Sequence, residues 1–152
     1  MPDTAPAPTV PGREGAEARL RRGAARLLAD LGYAVLYEFR LTSGRRVDLI
    51  GLNDSGEFVI VEVKSSVEDF RSDRKWREYL PFCERFYFAV PERFPDRLLP
   101  GDCGVIVADA YGGAIRRAAT GVPVNGSRKR RQTVRFALAA AGRLQRRIDP
   151  GA

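Results

Sequence analysis

One short run limits the folds open to this chain. Phe58-Val59-Ile60-Val61 is continuously apolar and rich in β-branched residues, so it reads as a strand covered on both faces inside a sheet. The strand then continues into Glu62 and Lys64. Side chains alternate along a strand, which puts both charges on the face of Phe58 and Ile60 and turns Val59, Val61 and Val63 to the other. Charges in such a position need partners, because an isolated buried charge is costly.

The partner lies across a hairpin. Arg46–Leu52 reads as a strand, Asn53-Asp54-Ser55-Gly56 as a connector, and Glu57–Lys64 as the returning strand. Taking Asp54-Ser55-Gly56 as a three-residue loop sets Asn53 against Glu57 and therefore Asp48 against Glu62. A bulge at Gly56 would shift this register by one residue and still keep the two acids close. Opposed residues have Cβ atoms about 4.5–5.5 Å apart, and like charges there repel. Two carboxylates so placed either share a proton or hold a divalent cation.

Composition narrows the choice of ion and chemistry. The 152 residues include no histidine, which removes Ser-His and Cys-His nucleophiles, zincins and histidine-based nucleases. Oxygen-only ligands favour Mg²⁺ or Mn²⁺. Lys64 would lie beside such an ion, placed to orient or deprotonate a bound water or to neutralise charge on a phosphate oxygen. The competing arrangement is a set of sheet-edge salt bridges, Asp48 with Arg46 or Lys64 and Glu62 with Lys64. The net charge of +7, mostly arginine, calls for a polyanionic partner, most commonly nucleic acid. Flanking helices, the hairpin setting and this charge favour a site for phosphodiester hydrolysis.

The remaining pattern places the motif in an α/β chain. A helical stripe of Leu20, Ala24, Leu27, Leu28 and Leu31 covers residues 13–31 and ends at Gly32, with Arg19, Arg22 and Arg26 on another face. Strands are expected at 34–41, 86–90, 104–108 and 114–118. Helices are expected at 67–83, stopping early at Pro81, and at 128–147. The order α-β-β-β-α-β-β-(β)-α implies an α+β mixed sheet flanked by helices, in a single domain over 13–148 after a disordered proline- and alanine-rich tail over 1–12. No apolar run is long enough to cross a membrane, and the N-terminus lacks the features of a secretory signal. Cys83 and Cys103 form no CxxC and read as buried free thiols of a reducing cytoplasm.

Val47-Asp48 followed by Glu62-Val63-Lys64 resembles the PD-(D/E)xK nuclease superfamily, with valine at the degenerate proline position. The wider segments GRRVDLIGL, VIVEVKSSVEDFRSDRKWREYLPFCERFYFAV and GVIVADAYG are similar to the MmcB-like DNA-repair family of bacteria, over about Gly15 to Leu144. The resemblance implies a restriction-endonuclease-like core and a DNA-repair role close to the nucleoid. It also implies Asp48, Glu62 and the Val63 carbonyl as metal ligands and Lys64 as the catalytic lysine. Superfamily members often add a glutamate from the first helix. Glu17 is the candidate, with Glu38 its competitor.

After the triplet, Asp69, Asp73 and Trp76 would share one side of a helix that lines the cleft. Arg74, Lys75 and Tyr79 are then candidate substrate contacts, as are Arg46 and Ser66 beside the triplet. Trp76 reads as a core anchor. Arg128, Lys129, Arg130 and Arg131 begin the last helix, where the macrodipole disfavours cations, and are candidate contacts to the DNA backbone. A non-cleaving DNA-binding or repair-scaffold module is the alternative to a nuclease. A repair-protein partner and a homodimer are both compatible with a domain of this size.

Overall fold

The sheet is built outward from the doubly covered strand. The structure, a computed structural model, describes residues 13–151; the tail assigned to residues 1–12 lies outside them. Six strands form one sheet in chain order: β1 (Ala34–Arg40), β2 (Arg46–Leu52), β3 (Phe58–Val63), β4 (Arg85–Val90), β5 (Gly104–Ala108) and β6 (Gly113–Arg117). The β3–β4 and β4–β5 pairs are parallel and the others antiparallel. Every residue of β3 is buried, as a central strand requires.

Helix α1 (Arg13–Asp30) lies on the face of Leu49, Val59, Val61, Val63 and Tyr87. It ends in a Schellman turn: Gly32 has φ 93°, its N–H donates to Ala29 O, and Tyr33 N–H donates to Leu28 O, both at 3.0 Å. The opposite face carries Ile50, Phe58, Ile60, Phe86 and Phe88, covered by Trp76, Tyr79, Phe82 and Phe136. Phe136 belongs to α3 (Gly126–Ile148), which starts two residues earlier than the periodicity indicates because Asn125 caps the N–H groups of Ser127 and Arg128. The mixed sheet between two helical layers fits the restriction-endonuclease-like core that the resemblance implies.

Two features depart from the sequence reading. The segment 67–83 is not one helix. Helix α2 (Val67–Ser72) stops where Asp73 turns extended, and a 3-10 stretch runs from Trp76 to Phe82. Asp73 bonds the N–H of Lys75 at 2.7 Å, a local bond that competes with the helical ladder. Trp76 then drops into the core, stacked on Phe86 at 5.7 Å and edge-on to Phe88 at 5.2 Å. Asp69, Asp73 and Trp76 therefore do not share a helix face.

The second departure is a reversal of alternation. Parity would put Val47 beside Leu49, yet Val47 packs with Phe39, Leu41 and Ile50 on the opposite face. In the β1–β2 register, Glu38 stands opposite Asp48, and among the described residues it is the one non-glycine with positive φ, 48°. Both strands turn over there, and the β2–β3 ladder, which begins at Leu52–Phe58, reaches Leu49–Val61 and goes no further.

Helix α1 approaches the β5–β6 turn through Gly23, where an added Cβ would stand 1.9 Å from Asp109 O and 2.5 Å from Gly112 O. Gly23→Ala is expected to lower stability by about 1–3 kcal/mol as the helix is forced away. Gly15→Ala, with no such neighbour, should be neutral or slightly stabilising. Urea midpoints of the two variants measure the difference.

Candidate active site

The hairpin fixes which acids meet. Asn53 N–H donates to Glu57 O at 3.1 Å, and the ladder continued from there sets Asp48 against Glu62, the pairing counted from the sequence. At that point the carboxylates replace the ladder. Asp48 N–H donates to Glu62 Oε1 and Val63 N–H donates to Asp48 Oδ2, each at 2.8 Å. Each acid thus stands in for the carbonyl that the opposite strand no longer supplies as the two strands part.

This exchange is electrostatically loaded. Glu62 is only 6% exposed, and burial together with the neighbouring Asp48 charge pushes its carboxyl up to about 8. Burial also raises Asp48, against the Val63 N–H and the charges of Arg21 and Lys64. The pair therefore holds a proton at neutral pH unless a cation takes its place. One oxygen of each acid is spent on the exchange, leaving Asp48 Oδ1 and Glu62 Oε2 outside it.

The donor set suits a small oxygen-seeking ion. In an extended strand the N–H and C=O of one residue face the same edge, so the Val63 carbonyl faces the gap where its N–H meets Asp48. Lys64 N–H points the other way, to Ala89 O at 2.9 Å. Mg²⁺ is commonly held by one or two carboxylates with water and substrate phosphate, which these groups can accommodate. Among the described residues, no cluster of three or more acidic, histidine or cysteine side chains is close enough to hold a metal. Neither Glu17 nor Glu38 forms such a cluster with Asp48 and Glu62. Glu38 does act on Asp48, but its Oε1 is 3.1 Å from the Arg21 guanidinium. Glu17 is not among the charges that act chiefly on either acid.

Lys64 is 9% exposed, and its Nζ lies 2.7 Å from Asp73 Oδ2. The sheet-edge salt bridges of the competing arrangement are not the ones formed. Burial pulls Asp73 upward, but the bonds from Lys64, Lys75 N–H and Trp76 N–H outweigh it and leave the carboxyl below its ordinary range. Asp73 stays ionised and holds the lysine, and the break after α2 is what brings it there. Tyr79, 5% exposed, has its hydroxyl raised by burial first and then by Glu62, Asp73 and Asp48, so it stays protonated beside them.

The other candidates are scattered. Arg46 is exposed two residues before Asp48, and Arg74 and Lys75 are exposed beside Asp73. Ser66 is occupied as the cap of α2, accepting from Asp69 N–H at 3.2 Å. The 128–131 cluster lies at the other end of the sheet. Lys129 Nζ is 2.6 Å from Glu84 Oε1, Glu84 Oε2 accepts from Phe58 N–H, and the Arg128 guanidinium lies 4.8 Å from the Phe82 ring centre. Phe58 is four residues from Glu62, roughly 13 Å along the strand. These contacts engage Arg128 and Lys129 within the protein, while Arg130 and Arg131 are exposed. Unforeseen were Glu84, which anchors that end, and Arg143, whose guanidinium donates to the carbonyls of Tyr37 and Glu38. Nothing in the sequence distinguishes Arg143 from the other arginines of its helix.

The family described as DNA repair protein MmcB-like matches residues 5–151. The chain belongs to that family. Among solved structures, the MmcB-like chain is similar to the SPO1766 protein of unknown function from Silicibacter pomeroyi. They share 41% identity and a TM-score of 0.86, over 90% of this chain and 94% of that one. A repair endonuclease from Pyrococcus abyssi matches at 22% identity and a TM-score of 0.35, over 56% of this chain and 40% of that one. No curated protein matches the chain. Among the described residues, no helix of this MmcB-like protein is long and apolar enough to cross a membrane, and both cysteines are buried and free.

The raised Glu62 carboxyl fixes a sign for pH dependence. The folded state keeps a proton that the unfolded chain, with an ordinary value of 4.5, has released. Its contribution to stability is full below that value and is lost as pH rises through about 8. In the absence of divalent cation, the wild type should lose on the order of 1–4 kcal/mol between about pH 5 and pH 9. Glu62→Gln should flatten that slope, as read by urea denaturation at the two pH values.

Proposed function

We propose that this MmcB-like protein is a divalent-cation-dependent nuclease that hydrolyses phosphodiester bonds in DNA. The observation that carries the reading is the opposed pair Asp48 and Glu62, with Lys64 just past the end of β3, two residues on from Glu62, and held by Asp73. A buried acid beside a half-buried one, in surroundings that disfavour charging both, forms a poor structural pair and a good cation site. DNA as the substrate rests on the repair family and on the net charge of +7.

A bound Mg²⁺ or Mn²⁺ would supply Lewis acidity at a phosphoryl oxygen and lower the pKa of a water. Asp48 Oδ1, Glu62 Oε2 and the Val63 carbonyl are the groups that would hold it. Glu62 gives up its proton for this, so cation and proton compete for the same carboxylate. Lys64, oriented by Asp73, offsets negative charge growing on the phosphate as the P–O bond breaks. Tyr79 keeps its proton and is available as a hydrogen-bond donor at the inner wall. The apolar surroundings strengthen each of these interactions over their worth in water.

A DNA-binding module that does not cleave is the second reading. The Lys64–Asp73 ion pair favours it, because a lysine already neutralised has less charge to offer a phosphate. Incubation with duplex, flapped and branched DNA in Mg²⁺ or Mn²⁺ separates the two. A nuclease should lose at least about 10²-fold in rate in Asp48→Ala and Lys64→Ala, and about 10- to 100-fold in Asp73→Asn, which leaves the lysine without the carboxylate that orients it. Binding without cleavage of any substrate selects the module. Neither binding nor cleavage at low salt removes DNA from both readings.

A further inference from the structure

We infer that the DNA backbone is carried by an arginine-lined groove between the outer end of the β1–β2 hairpin and helix α3, not by the basic cluster that opens that helix. The groove, about 500 Å³, is lined by Arg40, Arg46, Arg135, Arg143 and Arg146, together with Glu38, Leu138 and Ala139. Among the described residues none of the five arginines has an ion-pair partner, and Glu38 is taken by Arg21. Five like charges converging on one groove repel one another, and a polyanion relieves that repulsion. Arginine forks suit phosphate oxygens, so the groove favours a phosphodiester backbone over a lone anion.

The scaffold keeps the groove in place. Arg143 donates to the Tyr37 and Glu38 carbonyls, the latter at 3.0 Å, Arg135 to the Arg40 carbonyl at 2.9 Å, and Arg40 to the Gly44 carbonyl at 2.7 Å. These bonds tie α3 to the strand pair where it turns over. The side chains of Arg46 and Arg146 make no hydrogen bond or ion pair with the described residues and are free to take a ligand. The groove also adjoins the acidic pair: Glu38 stands opposite Asp48, and Arg46 is two residues before it, roughly 7 Å along the strand. At the other end of the sheet, by contrast, Lys129 is already paired with Glu84 and Arg128 lies over Phe82.

This inference rests on the reading that the protein binds DNA, and one experiment tests the two separately. Two double variants remove the same charge, Arg46→Ala with Arg146→Ala in the groove and Arg130→Ala with Arg131→Ala at the distal turn. Affinity for a fluorescent DNA duplex is measured by anisotropy against salt concentration, with no divalent cation. Removing one arginine–phosphate interaction should make the negative slope of log affinity against log salt shallower by about 0.9. The steepness of the slope for the groove pair should therefore fall by about 1.8, twice that value, with the distal pair close to wild type. A greater fall in the distal pair, an equal fall in both or no change in either overturns the groove while leaving DNA binding intact. No binding by the wild type at low salt removes DNA binding itself. Circular dichroism of both variants ensures that unfolding is not mistaken for weakened phosphate binding.

Discussion

Two hydrogen bonds at the end of the β2–β3 ladder hold the whole arrangement in place. Asp48 N–H to Glu62 and Val63 N–H to Asp48 let two strands separate without stranding buried donors. They also pin two carboxylates side by side in surroundings that resist charging both. Removing the acids would leave N–H groups unpaired, and removing the strand separation would leave no gap for a ligand. The fold and the chemistry therefore depend on the same few atoms.

The rest of the molecule is arranged around that gap. The turnover of β1 and β2 at Glu38 and Asp48 costs a left-handed backbone at a glutamate, of the order of 1 kcal/mol or more, and α3 holds it through Arg143 on two carbonyls. On the other side, the chain stops its helix at Asp73 so that a carboxylate reaches Lys64. Tyr79, on the following 3-10 stretch, closes the inner wall. Irregular backbone thus occurs at both flanks of the site and each instance positions a charge.

Much of this was legible in the sequence because it follows local rules. The doubly buried β3, the hairpin connector and the opposition of Asp48 to Glu62 all derive from strand alternation and turn length. Gly32 as a helix stop follows from its freedom to take a positive φ. What was not legible depends on contacts between distant segments. Residues 67–83 have acceptable helical spacing, and the Asp73 turn with the Trp76 stack on Phe86 overrides it. The changed side of Val47 depends on a backbone reversal at Glu38 that no propensity signals. Charge density at 128–131 is visible in the sequence, whereas the pairing of Lys129 with Glu84 is not.

Cation binding to the isolated protein tests the acidic pair most directly. Mg²⁺ or Mn²⁺ titration by calorimetry near pH 7, in buffers of different ionisation enthalpy, counts protons released per ion bound. If Asp48 and Glu62 hold the ion, binding should release close to one proton, supplied by Glu62 with its carboxyl raised to about 8, and Glu62→Gln should abolish the release. Binding that releases no proton, or that survives unchanged in both Asp48→Ala and Glu62→Gln, would place the cation elsewhere and leave the pair a structural device alone.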